Sequence, residues 1–151
     1  MAKASIHFAA AITAFAAASC ASPCGSHYWC SAGGISVKQI EQALCDNPIG
    51  ADQDILVTTL GTSAEVSHHL VQVRDAEPLH IHRNHDLTVF VYRGHGTMRV
   101  GEHRFEVKGG DILFVARGMP HAFQNRSMTP AVAIVAFTPA FDGKDTEAVG
   151  Q

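Results

Sequence analysis

The sequence predicts an all-β fold, a sandwich or barrel of short strands. Three observations carry this. Short apolar, β-branched runs recur from residue 55 to residue 137, and Gly, Pro, Asn and Asp turn signals punctuate them. Helical periodicity is almost confined to one short segment. The chain has 151 residues and 46% hydrophobic content, which suits one domain around one core.

Residues 1–20 read as a signal peptide rather than as fold. Lys3 gives a positive start, and Phe8 to Ala18 is an alanine-rich apolar stretch too short to span a bilayer as a helix. Ala16-Ala17-Ala18 has the small-residue pattern of cleavage. Ala17-Ala18-Ser19-Cys20 also resembles a bacterial lipobox, with Ala rather than Leu at its first position. The expectation is export to the periplasm or envelope, with any membrane contact made through a lipid on Cys20.

Residues 21–34, rich in Ser, Gly and Ala, read as a flexible tether in which Tyr28-Trp29 could pack on the barrel. Cys20, Cys24, Cys30 and Cys45 all precede the strands, and an oxidising compartment permits disulfides. With Cys20 lipidated, Cys24–Cys30 is the nearest pair; otherwise four cysteines allow three connectivities. Cys24-x-x-His27-x-x-Cys30 is also a pattern that could hold Cu(I) or Zn.

A single domain is expected over 35–151. Ser36 to Gln39 has the form of a capping box, and Val37, Ile40 and Leu44 share a helical face. Asn47-Pro48 and Gly50 stop that helix, which would cover the barrel or serve a homodimer. Strands are then expected at Ile55–Leu60, Val66–Val73, His80–His82 and Leu87–Tyr92. Thr97–Val100 and Arg104–Val107 form a hairpin around Gly101-Glu102-His103. Ile112–Val115, His121–Gln124 and Val132–Phe137 follow. A net charge of −3 and the absence of a basic run argue against a nucleic-acid partner.

His80-Ile81-His82 is the pattern that carries chemistry. Residues two apart on a strand point to one face, so two imidazoles stand side by side. Neutral imidazole is the commonest metal ligand. His121 returns on a later strand, after the Gly109-Gly110-Asp111 turn and the Gly118-Met119-Pro120 turn. Two neighbouring strands can thus close three corners around one ion. His68, His69, His95 and His103 have no second ligand at short spacing and read as surface or satisfied residues.

These stretches resemble the cupin superfamily. Its first motif sets a His-x-His pair, then a glutamate, then a glycine; here His80-Ile81-His82 runs on through His85, Asp86 and Leu87 to Gly94. Its second motif is matched by Gly110, Gly118, His121 and Asn125. The spacing of residues 95–109 between the motifs is similar to that of small bacterial cupins. The resemblance implies a double-stranded β-helix, or jelly roll, with a metal inside.

Three positions depart from the pattern. Arg74 stands in place of a glycine, and Ala116 in place of a proline. The carboxylate position falls on Asp86 counted forward from His82, and on Leu87 counted back from Gly94. Strand alternation groups His85, Leu87, Val89 and Val91 on one face and Asp86 on the other. The extra ligand beside His80, His82 and His121 is therefore Asp86, through a bulge, or His85, or neither.

A divalent Fe, Mn, Ni or Zn ion held this way keeps open positions for a small oxygenated molecule. Leu87, Val89, Val91, Phe114 and Phe123 would wall the pocket. His85 could act as base, and Tyr92 or Arg99 could position the substrate. Three functions are weighed: a metal-dependent oxygenase, lyase or isomerase; a binding module holding a small molecule or metal without turnover; and a structural surface lipoprotein with vestigial histidines, against which the near-complete second motif speaks.

Overall fold

The computed structural model describes residues 25–150. The signal segment, Cys20 and Cys24 lie outside the described residues. Ser26–Ser31 (β1) and Gly34–Gln39 (β2) form an antiparallel hairpin, followed by a short helix, Ile40–Asp46 (α1). The strands after it are Ile55–Thr62 (β3), Ser67–Val73 (β4), Ala76–Ile81 (β5), Asp86–Arg93 (β6) and His95–Val100 (β7). His103–Lys108 (β8), Ile112–Val115 (β9), His121–Asn125 (β10), Ala131–Thr138 (β11) and Glu147–Ala148 (β12) complete the series.

Two five-stranded antiparallel sheets face each other, in the orders β12-β5-β10-β7-β8 and β3-β4-β11-β6-β9. This is the jelly roll expected from the sequence. Period-two alternation sends Val71, Val73, Leu87, Val91, Val135 and Phe137 of the second sheet inward, against Met98 and Val107 of the first. On the outer face of the second sheet, Leu60, Leu70 and Val132 meet Ile40 and Leu44 of α1 in a separate core.

The N-terminal region departs from the expected tether. Residues 26–39 are paired from Ser26↔Gln39 to Ser31↔Gly34, so strand pairing takes the backbone groups that a tether would leave to water. The Trp29 indole lies on Gly61, where a Cβ would sit 2.5 Å from Trp29 Cε3. Tyr28 instead faces solvent. His27 is half-buried and Cys30 exposed, on opposite faces of β1, so the two do not converge on one metal.

The helix is also later than the capping pattern implies. Ser36 and Gln39 belong to β2, Val37 is exposed, and the helix starts at Ile40 without a side-chain cap. Hairpin pairing outcompetes the local capping signal. Cys30 and Cys45 are exposed and are not bonded to each other.

The strand from residue 147 was not legible as a strand. It pairs Glu147 with Ile81 and Ala148 with His80, which draws the segment from Phe141 onward across one end of the barrel. Among the described residues, no helix is long and apolar enough to cross a membrane.

Candidate metal centre

His121 lies opposite His80 in the β10–β5 register, and His82 follows one turn of the pleat later. All three rings are buried. Their centroids are 4.2 Å (His80–His121), 4.9 Å (His80–His82) and 5.4 Å (His82–His121) apart. Each has a ligand nitrogen within 4.8 Å of the others.

The backbone fixes which nitrogen that is. His80 Nδ1 donates to the Pro78 carbonyl at 2.8 Å, and His121 Nδ1 to the Met119 carbonyl at 2.9 Å. His82 Nδ1 donates to the Asp145 carbonyl. With the proton held on Nδ1, each ring leaves its Nε2 lone pair free to ligate, the arrangement that metal-ligating histidines adopt.

The fit to a metal can be tested on one distance. His80 Nε2 and His82 Nε2 are 3.2 Å apart. Two lone pairs at that separation repel unless something positive lies between them. Ligands about 2.1 Å from a shared ion would have this spacing at an angle of roughly 100°. Burial, reinforced by the neighbouring rings and opposed by the bond to Met119, pushes His121 down to about 4. Burial also lowers His82, against the opposing bond to Asp145. Both rings are therefore neutral and able to ligate at neutral pH.

The structure brings three of the expected residues together and places the others elsewhere. Asp86 is at the rim, where Oδ1 accepts from Arg117 N at 2.8 Å and Oδ2 from Arg117 Nη2 at 2.7 Å. These bonds hold its carboxyl at about 2 and join β6 to the β9–β10 turn. It is outside the histidine cluster. His85 is buried, but Asp145 Oδ2 engages Nδ1 at 2.5 Å and the Ala140 carbonyl engages Nε2 at 3.3 Å. Neither ring nitrogen is left to a metal.

Tyr92 lies on the other face of β6 from Leu87 and Val91, and its hydroxyl donates to Glu41 of α1 at 3.0 Å. Arg99 likewise alternates with inward-facing Met98 and donates to the Gly101 carbonyl at 3.1 Å. Neither lines the cavity.

That cavity has a volume of about 410 Å³ between the sheets, with the three histidines in its wall. Leu87, Val89, Val91 and Phe123 line it as expected. Phe114 does not: it is 66% exposed, because the parity of β9 turns Leu113 and Val115 inward instead. Leu87 therefore occupies the inward position at which the cupin pattern sets a carboxylate.

Two acidic residues escaped the sequence reading. Asp145, from the segment before β12, accepts from Arg83 N, Asn84 N, Asn84 Nδ2 and His85. Burial would raise its carboxyl, but these bonds outweigh it and hold it below the usual range. It clamps the turn after His82 while its carbonyl orients His82 itself. Its distance along the chain hid it. Glu77 lines the cavity 3.7 Å from His80 Nε2. Burial raises its carboxyl, with His80 opposing.

The other motif residues have structural work. Gly94 has φ +95°, and a Cβ there would lie 3.0 Å from Ala131 Cα. Buried Asn125 donates to the carbonyls of Arg74 and Thr129. Arg74 at the missing glycine fastens the 49–53 loop through the carbonyls of Ile49, Gly50 and Gln53. The remaining histidines are engaged away from the centre or exposed. His69 contacts Ser67 Oγ at 2.8 Å, His68 pairs with His27 at 2.9 Å, and His95 and His103 face solvent.

Comparison with known proteins agrees with this construction. Residues 67–137 match the family model described as a cupin domain. An uncharacterized protein of Aquifex aeolicus is 32% identical over 110 residues, covering 73% of this chain and 89% of its own. TT1209 from Thermus thermophilus superposes with a TM-score of 0.59 at 24% identity, covering 69% of this chain and 97% of its own. Pac13 of Streptomyces, a nucleoside dehydratase, superposes with a TM-score of 0.55 at 17% identity, covering 64% and 78%. With both motif regions and the barrel accounted for, the chain belongs to the cupin superfamily.

Proposed function

We propose that this protein is a metal-dependent cupin enzyme acting on a small, mainly apolar molecule that carries metal-binding oxygens. The observation that supports it most is the convergence of three backbone-oriented Nε2 atoms on the wall of an apolar cavity. When bound, a divalent Fe, Mn, Ni or Zn ion supplies Lewis-acid polarisation of a bound oxygen. His80, His82 and His121 would hold it.

The chain's own residues define the rest. Val89, Val91, Leu113 and Phe123 offer surface to an apolar body and exclude water, which strengthens every charge interaction inside. Among the described residues lining the cavity there is no Lys or Arg. That disfavours phosphates, uronates and other anionic sugars, and favours compounds such as catechols and enediols. The reaction class is oxygenase, lyase or isomerase. Pac13 illustrates that a barrel of this shape can house catalysis.

A second reading is a binding module without turnover. Leu87 at the inward carboxylate position is the observation in its favour. The proposal also includes export, on the strength of Lys3, the alanine-rich stretch and Ala17-Ala18-Ser19-Cys20. The mass of the mature N-terminus tests that part.

The function itself is tested on protein purified from its native compartment. Elemental analysis should find one transition metal per chain, and His121→Ala should contain none. The loaded protein is then incubated with catechols and enediols, with and without O2. Product formation that requires metal supports the enzyme; tight binding with no product under any loading selects the binding module. Equal metal content in wild type and His121→Ala would sink both.

A further inference from the structure

Resting on the three-histidine reading, we propose that Glu77 is the fourth protein ligand, supplying from β5 the carboxylate that Leu87 cannot supply from β6. His80 pairs with His121, and Glu77 pairs with Phe123. Three steps on β5 thus oppose two on β10, so β5 carries one extra residue between Glu77 and His80. In an unbroken strand, residues three apart face opposite sides. The extra residue resets that phase, and Glu77 lines the same cavity as His80, His121 and Phe123.

The position fits a ligand. Glu77 Oε1 is 3.7 Å from Nε2 of His80, the ring nitrogen left free when Nδ1 donates to Pro78. Glu77 has no oxygen within 4.8 Å of all three histidine nitrogens, so rotation about its three side-chain torsions is what would bring Oε1 to an ion held among them. Around a hard or borderline divalent ion, three imidazoles and one carboxylate form a coherent donor set.

The surroundings favour a positive partner. About a quarter of the Glu77 side chain is accessible (26%), and it borders the cavity. The walls are apolar and, among the described residues lining them, contain no Lys or Arg. A carboxylate in such a place is stabilised by a cation. An ion held by the three histidines would be that cation.

The test uses Co(II) as probe, on full-length wild type, Glu77→Gln and Glu77→Ala, with circular dichroism to confirm folding. Glu77→Gln keeps the shape of the side chain, and Glu77→Ala removes it. Competition with a chelator measures affinity, and the visible ligand-field spectrum reports the donor set. The expected result is that both variants bind at least about tenfold more weakly, the lower end of what even an outer-shell partner is worth. Their Co(II) spectra should differ from that of wild type. Wild-type affinity and spectrum in both variants would overturn the assignment of Glu77 while leaving the histidine site intact. Failure of wild type itself to bind Co(II) would overturn the three-histidine reading, and this inference with it.

Discussion

The central strands β4 and β11 of the sheet β3-β4-β11-β6-β9 are covered on both faces, but the two faces are built differently. Outward, Leu70, Val132 and Ile40 are sealed almost completely, at 0%, 1% and 1% exposure, beneath α1. Inward, the same strands border a cavity of about 410 Å³ and face a ring of histidines. An interior normally fills its space to crystal-like density. Here one face is packed in that way, and the other keeps room for a guest. The difference separates residues that hold the fold from residues that serve the site.

The largest effect should come from the inner side. Asp145→Ala removes the partner of buried His85 and the bonds that pin Arg83 and Asn84 in the turn after His82. Loss of one member of a buried pair costs about 3–5 kcal/mol. The alanine variant keeps the carbonyl that orients His82 but loses the side-chain bonds that hold that carbonyl in place, so metal affinity should fall by about 10–100-fold. Denaturant unfolding and metal competition read the two effects. A variant that loses stability but binds metal like wild type would detach Asp145 from the centre.

Leu70→Ala attacks the outer face. Its expected destabilisation is about 2–5 kcal/mol, from lost transfer energy and a residual cavity. Metal affinity in the folded protein should stay within about twofold of wild type, as additivity holds between separate sites. A parallel loss of metal affinity would mean that the two faces are coupled through β4.

A pH series on metal-free protein sharpens the contrast. His121 titrates near its ordinary value of 6.5 when unfolded and at about 4 when folded. Between those values the unfolded chain binds more protons, so stability falls as pH falls. The penalty is absent well above pH 6.5, grows through the window and levels off below pH 4. Its full size is roughly 3 kcal/mol, from about 1.36 kcal/mol per unit. The His121→Ala protein should show a shallower decline over the same window; an identical slope would assign the dependence to other groups.

Val89→Phe should have the smallest effect on stability. It adds volume on the cavity side of β6, where space exists, and should change stability by less than about 1.5 kcal/mol. Binding of an apolar probe should be lost while metal binding persists. A large destabilisation would show that the cavity is not free to accept volume.

The legibility of the chain follows the same division. The barrel strands were readable because alternation between two buried layers leaves a period-two signal in residues such as Leu87, Val89 and Val91. His80, His82 and His121 were readable because strand geometry alone brings them together. Three things were not. The β1–β2 hairpin was hidden under a capping-like pattern that cross-strand pairing overrode. Asp145 comes from an irregular segment whose position no spacing rule predicts. Glu77 was concealed by the extra residue in β5, since simple alternation from His80 assigns it to the outside.

The bond from His82 to the Asp145 carbonyl also concerns timing. Those partners are 63 residues apart in the chain. A ribosome adding roughly 5–20 residues per second therefore delivers Asp145 several seconds after His82. Until then His82 has no carbonyl to fix its tautomer, and the turn behind it has no clamp. The nascent chain consequently holds an unfinished histidine cluster, with His121 also still to come for most of that delay. If the cluster holds an ion as proposed, its acquisition belongs after the segment containing Asp145 has been made and docked, and if the chain is also exported, the metal supply on the far side of the membrane becomes the one that matters.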